Sequence, residues 1–370
     1  MMSFIIFNLK KLLKKNKYIF FIALKTIYFF RIIVGLNSRR SLIHRINKKF
    51  ILNKELKILK LSKAKRIYIV YDCNVSPFTL GDFFNVAMGA RYFQMKGYEI
   101  SFHLIKYDLN KKYLKNNSNF INNFYSEFEK ILSSLLKKKF TYKKESWIKF
   151  KKRNFDCDLL LFKSRVLKRK YTYGFYFNLM NTLCLKESSL FLKKYLLNKK
   201  NLKFSKKFKI PNKKYITIHC RFNRRQINKK DNRNLKSSEF IKVIRLLKRK
   251  FKNYDLLIIS DKIGCNYFYK ISKKNNFKVQ FSKNYTNSFM DDGVLVLNSS
   301  YYFQLWSGGI CVFTYYSQIP FLRCTTYLQN EIPYKKNQLS IWHKKENFLI
   351  QNDNRNYKEF LKKIEDIKIK

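Results

Sequence analysis

"RIYIVYDCNVSPFTLGDFFNVAMGARYFQMKGYEISFHLI", residues 66–105, decides the fold. Its first seven residues form a largely apolar run closed by Asp72, which reads as a buried strand. The loop "CNVSPFTLG" follows. Phe83, Phe84, Ala87, Ala90 and Met95 then recur largely on one side of a helix expected from about Asp82 to Lys96. "YEISFHLI" (98–105) returns to strand. Strand, helix and strand in this order make a βαβ unit, the start of a parallel sheet covered by helices.

The same alternation continues outward. Phe120, Phe124, Phe128, Ile131 and Leu135 keep a helical period within the Lys- and Asn-rich stretch 111–153, and "DLLLF" (158–162) reads as a further strand. "LNKKNLKFSKKFKIPNKK" (197–214) lacks periodicity, is basic and carries Pro211, so it marks a boundary. Beyond it come "YITIHC" (215–220) as strand, 238–251 as helix and "DLLIISD" (255–261) as strand, then apolar runs at 277–281 and 293–298, with Asp291 and Asp292 read as a turn. A polar helix is expected near 357–368. The expected architecture is α/β, with two Rossmann-like domains in tandem at 65–205 and 212–350, a C-terminal helix in 357–370, and a basic amphipathic helix within residues 1–60.

The formal charge of +57 is shared by a composition rich in Lys, Asn, Ile and Phe together, as an AT-rich genome would produce, so its distribution carries more information than its total. The first 54 residues hold thirteen Lys or Arg and no acid. Within them, "YIFFIALKTIYFFRIIVGL" (18–36) is interrupted by Lys25 and Arg31, which disfavours a membrane span. Two readings fit it equally: an amphipathic helix lying on an anionic leaflet, and one packed on the protein's own core. No small-residue cleavage site follows the apolar stretch. Seven scattered cysteines without CxxC spacing, and four histidines, favour reduced thiols over a disulfide framework or a structural zinc site.

Ser307, Gly308 and Gly309 spend two of nine glycines side by side, between "FQLW" and a run best read as a helix. Glycines at a strand-to-helix turn let backbone approach a phosphate; a tight turn with positive φ is the plainer alternative. "HCRFNRR" places His219, Arg221, Arg224 and Arg225 after the first strand of the same half, with Asn234 in "DNRN" close behind. Arginine is scarce here beside lysine, and its planar fork suits two-point contact with diphosphate oxygens. His219 reads first as a buried strand-end histidine bonded to backbone and second as a donor contact; His103, in an apolar run, reads as structural. Asp82 follows Gly81 where loop meets helix, and reads as a helix cap ahead of a general base. "DCD" (156–158) has the spacing of a metal-binding DxD but reads as a strand start.

The stretch 68–100 resembles the amino-terminal βαβ of heptosyltransferase-like glycosyltransferases. "YITIHCR", "RN", "LLIISD" and "LWSGGICVFTYYSQIPF" together resemble nucleotide-sugar-dependent glycosyltransferases of the GT-B type, the HxR being similar to that of fucosyltransferases. The resemblance spans about 65–350. It implies a metal-independent inverting transfer without cofactor from a nucleotide-sugar to a surface-glycan or lipid-linked acceptor. Arg221 would bind the donor diphosphate, Ser307, Gly308 and Gly309 would cradle it, and His219, Arg224, Arg225, Asn234 and Asp261 would complete the donor side. Gly81 would lie in the acceptor-side loop with Asp82 as base. The expected location is cytoplasmic, peripheral on an anionic inner-membrane surface, with no nucleic acid bound. Departures are the absence of an acid just after Gly309 and the presence of Trp306 before the loop. The competing class is a non-enzymatic basic protein binding nucleic acid or membrane, supported by charge and by the 18% aromatic content. The aromatics, however, fall mostly within periodic runs. A sugar-nucleotide epimerase would need acid and base residues that no motif supplies.

Overall fold

A computed structural model describes residues 66–74, 79–95, 97–107, 118–136, 140–151, 159–161, 211, 213–222, 234–306, 308–315, 317, 319–325, 348–351 and 357–369. Residues 18–36, the boundary at 197–210, "DCD", Ser307, Arg224 and Arg225 lie outside them. Residues 63–370 form one compact unit.

The βαβ start is present: β1 (Arg66–Asp72), α1 (Leu80–Met95) and β2 (Glu99–Ile105). After them come α2 (Ser118–Leu135), β3 (Phe140–Glu145), α3 (Trp147–Lys151) and β4 (Leu159–Leu161). These strands build a parallel sheet in the order β3-β2-β1-β4. Its core is aromatic: Phe83 of α1 stacks on Phe128 of α2 at 3.9 Å, and Tyr71 of β1 meets Phe83 edge-on at 5.0 Å. Each such buried ring contributes about 1.5–3 kcal/mol.

The second sheet comprises β5 (Tyr215–His219), β6 (Asp255–Ile259), β7 (Gln280–Phe281), β8 (Tyr302–Leu305), β9 (Phe321–Thr325) and β10 (Phe348–Gln351). Their order is β10-β9-β8-β5-β6-β7, and every pairing is parallel. Read from β7, this is the 3-2-1-4-5-6 order of a doubly wound nucleotide-binding sheet. The chain therefore leaves β5 in one direction and returns on its other side at β8. The switch point lies between their carboxyl ends.

Helices α4 (Ser237–Lys250), α5 (Lys262–Lys274) and α8 (Lys358–Asp366) cover one face of this sheet, over Ile216, Ile218, Phe303, Leu305, Leu322 and Cys324. The other face meets α6 (Phe289–Asn298), where Tyr215 donates to the Leu295 carbonyl at 2.9 Å. Asp291 and Asp292 are thus not a turn, and 293–298 is helix. Ser288 caps α6 by accepting from the Asp291 N–H at 3.1 Å, and Lys283 holds the buried Asp292 at 2.6 Å. Every residue from Met290 to Leu297 is buried, so the segment shows no polar face to betray its period.

The two sheets meet through helices. Phe84 of α1 packs on Phe313 at 4.5 Å, Phe313 packs on Phe289 at 5.3 Å, and Gly293 leaves space for the Phe313 ring. Glu127 of α2 accepts the Phe289 N–H at 2.8 Å, placing a carboxylate at the amino end of α6.

Candidate active site

The carboxyl ends of β5 and β8 place four sequence-predicted residues together. His219 is the last residue of β5, and Gly308 follows β8 so closely that a Cβ on it would lie 1.9 Å from His219 Cε1. Gly309 is approached from the other side by Gly81, in the first turn of α1: a Cβ on Gly81 would lie 2.8 Å from the Gly309 Cα, and one on Gly309 would lie 3.2 Å from the Gly81 N. Gly308 has φ −175° and Gly309 has no positive φ, so the doublet does not serve a left-handed turn. It is required by close approach, of an imidazole to Gly308 and of backbone to Gly309.

The helix expected after the doublet is short, a 3₁₀ turn at Gly309–Cys311 followed by α7 (Val312–Tyr315). Its dipole is correspondingly small, and the charge of an anion bound here falls to the arginines instead.

Sheet register supplies them. His219 pairs with Gln304, and Gln304 with Arg323, so three polar side chains form a row across β5, β8 and β9 on the face opposite the apolar cluster. Gln304 organises the row: its Oε1 accepts from Arg323 Nε at 3.2 Å and from the Tyr302 hydroxyl at 2.8 Å, while its Nε2 donates to the Trp306 carbonyl at 2.9 Å. Trp306 sits at φ 67°, an uncommon conformation for so large a residue. Its buried indole N–H is held by Glu239 at 3.1 Å. Strained backbone leading into the glycine turn is thereby fixed from below.

His219 is nine-tenths buried, and among the described residues its Nδ1 has no hydrogen-bond partner. Burial, with Arg221 and Arg323 nearby, drives its pKa down to about 3, so the imidazole is neutral at physiological pH. The expectation that it bonds to backbone is not met at Nδ1.

Arg221 follows two residues later, half-buried, and its carbonyl accepts from Leu235 N–H at 2.9 Å, which sets Asn234 beside it. Asp261 lies at the same sheet edge, where it caps α5 by accepting from Gly264 N–H at 2.6 Å. On the α1 side, Thr79 rather than Asp82 precedes the helix. The Thr79 hydroxyl donates to Asp82 Oδ2 at 2.7 Å and accepts from the Asp82 N–H at 3.3 Å, a local capping arrangement.

Sequence reading overlooked Arg323 and Gln304. The available signal was a single arginine inside the apolar strand "FLRC". Cysteine chemistry has no support among the described thiols: burial pushes those of Cys73, Cys220 and Cys265 upward, and that of Cys324 up to about 12. His103 is structural, as expected, bound to Glu145 at 2.9 Å and to Ser101 at 3.1 Å. Among the described residues no helix is long and apolar enough to cross a membrane.

No protein-family model and no curated protein matches the chain. Among solved structures it is similar to the crystal structure of the glycosyl transferase family 9 from Veillonella parvula DSM 2008, with a TM-score of 0.39 and 9% identity, over 82% of this chain and 90% of that one. A likeness of that depth assigns neither family nor activity.

Proposed function

We propose that the protein is a glycosyltransferase of GT-B type that takes a nucleotide-activated sugar at the carboxyl edge of the second sheet and transfers it to a hydroxyl of a glycan or lipid-linked acceptor. The observation that carries this reading is the meeting of His219, Gly308 and Gly81 at the β5–β8 switch point, where parallel sheets of this order bind nucleotides. Arg221 is the diphosphate ligand. Arg323, in the same cross-strand row as the histidine, adds positive charge from within the sheet. Departure of a nucleoside diphosphate needs such fixed cations already in place, because they stabilise charge as it develops without reorganising.

Asp82 is the base. Its carboxylate takes the acceptor proton as the acceptor oxygen bonds to the anomeric carbon and the bond from that carbon to the diphosphate oxygen breaks. Its neighbour Gly81 is in contact with Gly309, which supports an acceptor side lying against the donor side. Capping by Thr79 orients the carboxylate while leaving it half-buried. The region 65–205 is the acceptor side, 212–350 is the donor side, and the enzyme works at the cytoplasmic face of an anionic membrane, without metal or cofactor.

Thermal-shift screening of GDP-, UDP-, ADP- and CMP-sugars identifies the donor; a hundredfold excess over Kd stabilises by about 2.7 kcal/mol. Calorimetry with that donor on Arg221→Ala is expected to show affinity lost by a factor of roughly 100 or more, from removal of a charge-assisted contact. Failure of all four donor classes, or an unchanged affinity in Arg221→Ala, would remove the assignment.

A further inference from the structure

Charge in the described helices is segregated. Helix α4, "SSEFIKVIRLLKRK", carries five cations (Lys242, Arg245, Lys248, Arg249 and Lys250) and one acid, Glu239, which is buried and engaged by the Trp306 indole. Helix α5, "KIGCNYFYKISKK", carries four more, Lys262, Lys270, Lys273 and Lys274, with no acid. Helices α1, α2 and α6 show the reverse: Arg91 and Lys130 against Asp82, Glu127, Glu129, Asp291 and Asp292. A lysine-rich composition raises basic residues everywhere; it does not move them to one layer. The excess belongs to α4 and α5: α8, which shares their face of the sheet, is balanced, with Lys358, Lys362 and Lys363 against Glu359, Glu365 and Asp366, and the five-residue α3 adds only Lys149 and Lys151.

The outward side of that layer is not uniformly polar. Lys242, Arg245 and Arg249 are exposed along α4 at helical spacing, Arg249 paired with Glu365 of α8, and beside them lies a groove between α4 and α8 of about 510 Å³, in which Leu246 and Leu361 supply aliphatic surface and Lys362 and Glu365 line the rim. On α5, Ile263 is 50% exposed and Tyr269 is 55% exposed, among the exposed Lys262, Lys270 and Lys273. Among the described residues Ile263 and Tyr269 are two of the three exposed large hydrophobics, the third being Ile148 on α3, and they alone stand together on one basic helix. A bilayer suits both features: acidic headgroups attract the cations, and aliphatic and tyrosyl side chains enter the interfacial zone. Nucleic acid would use the cations but gains little from Ile263 or from the leucines.

We infer that the outer face of α4 and α5 is a docking surface for an anionic lipid bilayer. This rests on charge and exposure alone and is independent of the glycosyl-transfer reading. It also differs from the expectation placed on residues 1–60, because it assigns docking to the second sheet's own helical layer.

The test is co-sedimentation of the full-length protein with vesicles of phosphatidylcholine alone and of equimolar phosphatidylcholine and phosphatidylglycerol. Wild type is expected to bind the second and not the first. The quadruple variant Lys242→Glu, Arg245→Glu, Lys270→Glu, Lys273→Glu, checked for a wild-type melting temperature, is expected to bind at least about tenfold more weakly. Ile263→Ser with Tyr269→Ser is expected to weaken binding several-fold, with little change in its salt dependence. A control, Lys130→Glu with Lys144→Glu, removes cations elsewhere and is expected to bind as wild type. Undiminished binding by the quadruple variant, equal loss in the control, or tighter binding of a DNA or RNA duplex than of the acidic vesicles at the same salt would each overturn the inference. Should the quadruple variant not fold, the Ile263 and Tyr269 pair decides: binding equal to wild type there rejects it.

Discussion

Each of the two sheets buries a histidine in the carboxyl half of a parallel strand, His103 within β2 and His219 at the end of β5, and treats it in an opposite way. In the first sheet, the Thr141 hydroxyl donates to Ser101 at 2.8 Å, Ser101 bonds to His103 Nε2 at 3.1 Å, and His103 Nδ1 bonds to Glu145 at 2.9 Å. This chain of bonds gives both ring nitrogens a partner, the carboxylate at Nδ1 and the hydroxyl at Nε2. In the second sheet, His219 feels the positive charge of Arg221 and Arg323, and among the described residues its buried Nδ1 has no partner. A satisfied buried network holds structure; a buried polar group without a partner is maintained against a cost of about 1–3 kcal/mol, which singles His219 out as a candidate site residue. The topologies are alike, so the difference arises from the side chains that register brings across: Glu145 from β3 in one sheet, Arg323 through Gln304 in the other.

This contrast can be broken most forcefully at Glu145. Glu145→Ala strands a buried histidine and is expected to cost about 3–5 kcal/mol in urea unfolding, whereas His103→Leu with Glu145→Leu together is expected to cost far less. Donor affinity of the folded protein should survive in both; a loss of affinity would give the first network a role in binding.

At the second sheet, Gly308→Ala forces a Cβ onto the His219 ring and is expected to cost about 1–3 kcal/mol while abolishing donor binding. The stability cost should shrink in a His219→Ala background, because the clash is then relieved. Additivity of the two substitutions would show that the glycine answers to something other than the histidine.

His219 also leaves a signature in pH. The folded pKa of His219, about 3, lies below its ordinary 6.5, so between those values the unfolded chain binds a proton that the native state does not. Stability contributed by keeping this ring neutral is full above pH 6.5 and is lost as pH falls toward 3, with a slope of up to about 1.4 kcal/mol per pH unit. His219→Phe should remove that slope from a pH series of thermal melts. Persistence of the full slope would place the titration elsewhere.

The smallest expected effect tests the join between the sheets. Thr79→Ala removes the cap of α1 and should cost about 1 kcal/mol in stability. If Asp82 depends on Thr79 for its orientation, turnover should fall more than donor affinity does.

Much of the architecture could be read from local pattern, because a strand buried on both faces leaves an apolar run and an amphipathic helix leaves a period. β1, β2, α2, β5, α4 and β6 were legible in this way. Helix α6 was not: with every residue from Met290 to Leu297 buried, it has no polar face, and an apolar run cannot tell a buried strand from a buried helix. The donor-side candidates were legible only as residue types. Arg221 stood out through the scarcity of arginine, and the glycine doublet through the scarcity of glycine, but Arg323 and Gln304 looked like ordinary members of their strands.

Taken alone, the sequence determined the α/β alternation and the ends of strands at which chemistry could sit, because hydrophobic period and loop position are local properties of a chain. Tertiary structure alone decided which of those ends meet. His219, Gln304 and Arg323 form a row because β5, β8 and β9 pair in a particular register. Gly81 reaches Gly309 because α1 packs against the second sheet's turn. Pairing and packing of that kind are settled by the whole buried surface at once, and no window along the chain contains them.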